Sequence, residues 1–166
     1  MARGSKNKGK PKDLSPRIVN RRARHDYAIS DTYECGVALL GTEVKSVRHG
    51  RVSLQEGWAE IHGKTGQLLL RGVEISPYLY AGPAHQHTPK RDRVLLAHKR
   101  EIRKLLSETS ASGVTLVPIA MYFVNGRVKV EIGVGTGKKA HDKRNDIKKR
   151  DAERDMRRAM TRKVLR

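Results

Sequence analysis

The dipeptide Asn125-Gly126 limits what this chain can fold into more than any other pair in it. Between alternating apolar residues it specifies a two-residue type I′ turn, because both central positions need positive φ and these two residues accept it at least cost. Such a turn leaves the register no freedom: Val124 faces Arg127, Phe123 faces Val128, Tyr122 faces Lys129 and Met121 faces Val130. Arg127 to Val134 alternates polar and apolar with period two, and Thr115 to Val124 is rich in β-branched and aromatic residues. One face of this hairpin (Ile119, Met121, Phe123, Val128, Val130 and Ile132) must be buried, and Tyr122, Arg127, Lys129 and Glu131 are left for solvent. Gly133, Gly135 and Gly137 are expected to end the sheet, as a flexible exit before the cationic run that opens at Lys138-Lys139.

Charge divides the chain in three. The formal net charge is +19, yet residues 25–137 hold fourteen bases against eleven acids. Residues 1–24 carry nine Lys/Arg against one acid, and residues 138–166 carry thirteen against five. Polycationic arms on a near-neutral domain are drawn to nucleic acid or to an anionic membrane face. Neither arm has the broad apolar face of an interfacial helix, so nucleic acid is the expected partner and a membrane is not. No apolar run approaches the ~18 residues of a membrane span, and the first residues lack the apolar stretch of a signal peptide. The single cysteine, Cys35, excludes an internal disulfide framework and fits a reducing compartment. The expected setting is the cytoplasm, and the expected state a monomer.

Along the chain, residues 1–19 read as a disordered basic arm rich in Lys, Gly, Ser and Pro. Residues 20–137 read as the folded domain, and residues 138–166 as a basic tail that is mobile when free and helical once bound. Arg21, Arg22, Arg24 and His25 beside Tyr27 can serve phosphate contact with base stacking, or can be a solvated stretch with Tyr27 in the core. Glu34 to Leu40 reads as a buried strand. Gly41 to Arg48 reads as a short helix capped by Thr42, with Val44 and Val47 inward and Lys45 and Arg48 on the neighbouring face. Trp58–His62 and Gln67–Ile75 form a second hairpin around Gly63-Lys64-Thr65-Gly66. Arg91 to Leu106 is helical in composition, with Leu95, Leu96, Ile102, Leu105 and Leu106 in one stripe and Lys99, Arg100, Arg103 and Lys104 largely elsewhere. About six short antiparallel strands with glycine-rich turns and flanking helices imply a small barrel, and the oligonucleotide-binding fold is the natural candidate. In the tail, Asp146/Arg150 and Glu153/Arg157 stand at helical spacing beside a thin apolar line of Ala152, Met156, Ala159, Met160 and Val164.

No catalytic group is expected. His85, His87 and His98 lack Cys or carboxylate partners at metal-ligand spacing, so neither a metal nor another cofactor is implied. Cys35 sits in an apolar run and reads as a packed thiol. The glycines before Lys138 lack phosphate-loop spacing.

Four long stretches, in order, resemble the SsrA-binding protein (small protein B) family of bacteria. They are Asn20 to Tyr27, Gly41 to Ser46, His98 to Ile102, and Gly137 to Arg144. The resemblance covers roughly residues 15–155. It implies an oligonucleotide-binding barrel that binds the tRNA-like domain of transfer-messenger RNA (tmRNA, SsrA) and serves ribosome rescue by trans-translation. It also implies RNA contacts at Glu34, Leu96 and Lys129, with Tyr122 beside the last. Further contacts are implied at Asn20, Arg22, Arg24, His25 and Tyr27, at Gly41, Thr42, Glu43 and Lys45, at His98, Lys99 and Arg100, and at Lys138 and Lys139. The tail residues His141, Asp142, Lys143 and Arg144, with Ile147, Lys148 and Arg150 beyond them, match the part that enters the ribosomal decoding centre, against small-subunit rRNA. Val94, Ala97 and Thr136 depart from the family pattern, and residues after Met160 follow none. The alternative is a structural small-subunit ribosomal protein that binds rRNA; an RNA-processing enzyme would need an acid, base or metal cluster that the sequence does not offer.

Overall fold

The computed structural model describes residues 15–139, 141–142, 151–152, 154–156, 158 and 160. In chain order its elements are β1 (Ile18–Val19), α1 (Arg21–Asp26), β2 (Tyr27–Val37), α2 (Gly41–Arg48), β3 (Val52–Ser53) and β4 (Trp58–Ile61). There follow β5 (Leu68–Arg71), β6 (Glu74–Ile75), β7 (Arg93–Leu96), α3 (Lys99–Thr109), β8 (Val114–Val124) and β9 (Arg127–Gly137).

Six strands close into an antiparallel ring in the order β8-β4-β5-β7-β2-β9, with β9 returning to β8, and β1 adds to the outside of β8. Closure between β7 and β2 is narrow, at Gly36 and Val37 only, so Tyr27–Cys35 pairs on the β9 side alone. The ring is the barrel expected of an oligonucleotide-binding fold, with the helices around it. Leu68, Leu70, Leu95, Leu116, Met121, Val130 and Ile132 fill its interior and are almost wholly buried. Leu105 of α3 joins the same core, so that helix lies against the barrel by one buried leucine.

The hairpin turn is as the dipeptide dictates. Asn125 and Gly126 have φ of 51° and 75°, and all four pairs from Val124↔Arg127 to Met121↔Val130 are in the expected register. Past Met121 the expected face assignment fails. A bulge between Pro118 and Ala120 inserts one residue, so Ala120 faces Glu131 and Pro118 faces Ile132. Ile119 is thereby turned away from the side occupied by Met121 and Phe123. It is 2% exposed, but it covers the outer side of β9, where a Cβ on Gly133 would meet its Cδ1 at 2.6 Å.

The glycines do not end the sheet. β9 runs on to Gly137, with Gly133 opposite Thr32, Gly135 opposite Ile29 and Gly137 opposite Tyr27. The missing side chains of Gly133 and Gly135 let Ile119, Ile29 and Tyr27 lie flat on the strand: a Cβ on Gly135 would stand 3.0 Å from that of Tyr27.

Three other expectations change. Ile18–Val19, expected within the disordered arm, is strand β1 and pairs with Met121 and Ala120. Arg93–Leu96 is strand β7 rather than helix, because Leu95 and Arg93 turn into the barrel while Val94 and Leu96 face outward, the period of a strand. The helix starts only at Lys99, and its stripe shrinks to the buried Leu105, with Leu106 53% exposed. The stretch Gln67–Ile75 is two strands, broken where Gly72 takes φ of 66°. The hairpin of β4 and β5 pairs Trp58 with Arg71 and Ile61 with Leu68.

Candidate nucleic-acid interface

The register of the ring sets one outward row across four strands. Leu96 on β7 faces Gly36 on β2, Gly36 faces Lys129 on β9, and Lys129 faces Tyr122 on β8. Gly36 leaves the middle of the row low, since a Cβ there would stand 3.3 Å from that of Leu96. The result is a cleft of about 360 Å³ lined by Gly36, Val37, Leu39, Val44, Leu96, Arg127, Val128 and Lys129. Leu96 is 59% exposed at its rim. An uncovered leucine beside cations can pack against a base or ribose while the cations hold phosphate.

Glu34, two residues before Gly36, anchors the polar end of the row. The Tyr122 hydroxyl donates to its Oε2 at 2.6 Å, and Lys129 Nζ lies 3.3 Å from its Oε1. The Tyr122 hydrogen bond and the Lys129 ammonium hold Glu34 below its ordinary carboxylate range, against partial desolvation. Burial together with the same carboxylate pushes Tyr122 up to about 12. At neutral pH the row therefore presents a carboxylate acceptor and a neutral phenol beside Lys129. Arg17, from the segment before β1, lies 4.3 Å over the Tyr122 ring and pairs with Glu131 at 2.5 Å. Nothing in the sequence pattern pairs Arg17 with the hairpin; only the antiparallel pairing of β1 with β8 brings it there.

At the other end of the β2–β9 ladder stands a second cluster. Asn20 is the N-cap of α1: its Oδ1 accepts from the Ala23 N–H at 3.2 Å, and its Nδ2 donates to the carbonyls of Leu54 at 2.9 Å and Pro118 at 3.0 Å. It is 2% exposed, with both side-chain polar atoms engaged. Asn20 thus aims α1 rather than presenting itself to a ligand. Arg22 and Arg24 are exposed, and His25 Nδ1 lies 2.9 Å from Asp26. Tyr27 is half-buried against Gly135, between the two roles open to it from sequence. Lys138 donates its backbone N–H to Asp26 O and its Nζ to Arg24 O, both at 2.9 Å, a cation on the C-terminal carbonyls of α1. A cavity of about 550 Å³ lies here, lined by Arg22, Tyr27 and Trp58 among others. Trp58, expected only as part of a strand, is 43% exposed.

Around α2 the expected roles divide. Gly41 and Lys45 are exposed. The helix cap is Leu40 rather than Thr42: the Leu40 N–H donates to the Glu43 carboxylate at 2.7 Å, while the Thr42 hydroxyl lies 2.9 Å from His87 Nδ1. Glu43 is fully buried and takes Arg91 Nε and Arg93 Nε at 2.9 Å each. Arg93 is fully buried too, and donates to the carbonyls of Val73, Arg91 and Pro89 at 2.7–2.9 Å. Burial pushes Glu43 upward, but the bonds from Arg91, Leu40 and Arg93 outweigh it and leave it lowered. Glu43 therefore holds α2 against the loop before β7, with no surface left for RNA.

His98, Lys99 and Arg100 are exposed at the start of α3, next to Leu96, where Glu101 accepts from the His98 N–H at 2.9 Å. Lys139 is exposed, and its N–H reaches Asp142 Oδ2 at 3.3 Å. His141 and Asp142 are helical and exposed, as are the described residues among 151–160. Lys143, Arg144, Ile147, Lys148 and Arg150 lie outside the described residues, as do residues 1–14 and both expected tail ion pairs. Cys35 is in the core, and burial raises its thiol to about 11. Among the described residues no group of His, Cys, Asp and Glu is arranged to hold a metal ion, and no helix is long and apolar enough to cross a membrane.

The family model described as SmpB protein matches residues 17–162. The SsrA-binding protein of Thermosynechococcus vestitus is 53% identical over 141 residues, covering 85% of this chain and 91% of that protein. The SsrA-binding protein of Thermobifida fusca is 49% identical over 161 residues, covering 96% and 99%. A solved structure described as tmRNA–SmpB, from work on the center of the bacterial ribosome, aligns with a TM-score of 0.64 at 46% identity, over 76% of this chain and 87% of that one.

Proposed function

The chain belongs to the SmpB protein family, and from that premise we propose that it is an RNA-binding adaptor of trans-translation in the bacterial cytoplasm. It binds the tRNA-like domain of transfer-messenger RNA and delivers that RNA to stalled ribosomes, where incomplete chains are tagged for degradation. Its work is recognition and positioning, not bond chemistry. Family membership favours this adaptor over a structural ribosomal protein.

The observation that carries the division of labour is the length of the β2–β9 ladder. Gly36 pairs with Lys129 at one end and Tyr27 with Gly137 at the other. At about 3.3 Å per residue the two ends lie up to roughly 30 Å apart, less what curvature removes. The row of Leu96, Lys129, Tyr122 and Glu34 would hold the folded RNA by shape, stacking and a few hydrogen bonds. Exposed Arg127, His98, Lys99 and Arg100 would add salt-dependent phosphate attraction beside it. From the far end the tail starts at Lys138, next to Arg22, Arg24 and His25. In the bound state His141, Lys143 and Arg144 of that tail would stack on and neutralise rRNA at the decoding centre. A protein with both contacts on one end could not bridge two RNAs so simply.

Two variants test this reading. A chain stopped after Lys139 keeps the Lys138 bonds to α1, so it should bind transfer-messenger RNA nearly as well as the full chain and support no tagging of stalled chains. Lys129→Ala should lose RNA affinity instead. Equal loss of affinity in both would refute the division.

A further inference from the structure

We propose that the loop carrying Tyr78 and Tyr80, backed by α2, forms a further RNA contact that stacks an unpaired base of the same transfer-messenger RNA on the Tyr80 ring. It rests on the function proposed above and extends it to a surface outside the row and the tail.

Tyr80 is 82% exposed and Leu79 68%, the two most uncovered large apolar residues among those described up to the end of β9. They do not hang from a loose loop. The Gln86 side chain clasps the turn like a peptide group: its Oε1 accepts from the Tyr78 N–H at 3.1 Å, and its Nε2 donates to Tyr78 O at 2.7 Å. The Ala81 N–H closes the turn on Tyr78 O at 3.0 Å, and Ser76 N–H ties the loop base to Arg51 O at 3.1 Å. Tyr78 is in turn supported from below. His49 stacks on it with centroids 6.2 Å apart, Tyr80 meets it edge-on at 5.5 Å, and Lys45 Nζ sits 5.1 Å over its ring. A ring set so firmly in water is preorganised for a planar partner.

Charge selects the partner. The small cleft here is lined by His49, Arg51, Tyr78, Leu79 and Tyr80, with no carboxylate. Lys45 and Arg48 stand on the adjoining face of α2, where Arg48 lies 5.2 Å over Phe123. An apolar protein surface would have to strip water from these cations without pairing them. An unpaired nucleotide supplies a π-face for Tyr80 and phosphates for Arg51 and Lys45. Continuity selects the RNA: α2 sends Val44 into the Lys129 cleft and the next residue, Lys45, to Tyr78, so one ligand can run from the row around the helix.

The test uses the full chain and a transcript of the tRNA-like domain, with affinity measured by filter binding across a salt series. Tyr80→Ala should weaken binding by about 5- to 150-fold, the span of base-on-aromatic stacking. The slope of log affinity against log salt should not change, and Tyr80→Phe should restore binding. Arg51→Ala should flatten that slope by about one unit. Gln86→Ala, which frees the turn without removing a ring, should give a smaller loss than Tyr80→Ala. If Tyr80→Ala binds this RNA as wild type does, the site is refuted, and so it is if that variant loses only ribosome association. Wild-type protein with no preference for this RNA over bulk structured RNA would instead overturn the underlying function.

Discussion

Lys129→Ala separates binding from folding most cleanly, and its size can be worked from the geometry. Lys129 gives up one ion pair, 3.3 Å to Glu34, between side chains that are 29% and 46% exposed. Pairs so open to water contribute about 0.2–1 kcal/mol. Its strand neighbours Val128 and Val130 are buried and keep the packing, and Tyr122 still holds Glu34 at 2.6 Å. For a chain of this size, 1 kcal/mol moves the melting temperature by about 2–4 °C. The loss on the RNA side is larger, since a charge-assisted hydrogen bond to phosphate contributes about 1.5–3 kcal/mol, or roughly 10- to 150-fold in affinity. The salt slope should flatten by about one unit. Thermal melting and filter binding on one preparation read both numbers. A melting temperature lowered by 10 °C or more would mean that Lys129 is structural, and unchanged affinity and slope would remove it from the interface.

Other substitutions probe the scaffold. Glu43→Gln leaves the fully buried Arg93 without its counter-charge and should destabilise the fold by about 3–5 kcal/mol, read by denaturant melts. The same carboxyl gives a pH signature. Its folded pKa lies below its unfolded one, so its contribution is present above the unfolded value of about 4.3 and is lost as pH falls through the lower folded value. The acid limb of the stability curve should therefore be shallower in Glu43→Gln than in wild type, and identical limbs would exclude Glu43 as its source. Gly133→Ala drives a methyl to within 2.6 Å of Ile119 and 3.0 Å of Ile29, and should cost about 1–3 kcal/mol. A neutral result there would mean that the bulge at Pro118–Ala120 relaxes freely.

Register was the legible part of this fold. A two-residue turn followed by clean alternation set Tyr122 beside Lys129 with no knowledge of the other strands, and the barrel interior follows from the same alternation. What was not legible depends on partners far away in sequence. The bulge that turns Ile119 outward answers to Ile29 and Gly133 across the sheet, and no local signal announces it. Gly133 and Gly135, which read as part of a stop, are instead the floor on which Tyr27, Ile29 and Ile119 pack. Arg93–Leu96 looked helical because it runs into a true helix; a buried arginine made its alternation look polar and hid the strand. On the candidate surface, Lys129 and Leu96 face outward at positions that register or family resemblance singled out, but Glu43 and Asn20 match family positions while folding inward. Arg17 over Tyr122, and the Tyr78–Tyr80 loop against α2, are products of tertiary approach alone.

The adaptor role requires that the folded domain prefer one RNA over all others in the cell. It is tested most directly by capturing the tagged full chain from its own cells, washing at raised salt to strip weak phosphate contacts, and sequencing the RNA that remains. An adaptor should bring down one dominant species, transfer-messenger RNA, lost in the Lys129→Ala variant and kept when the tail is removed after Lys139. A spread of ribosomal RNA with no species enriched, unchanged by Lys129→Ala, would contradict it.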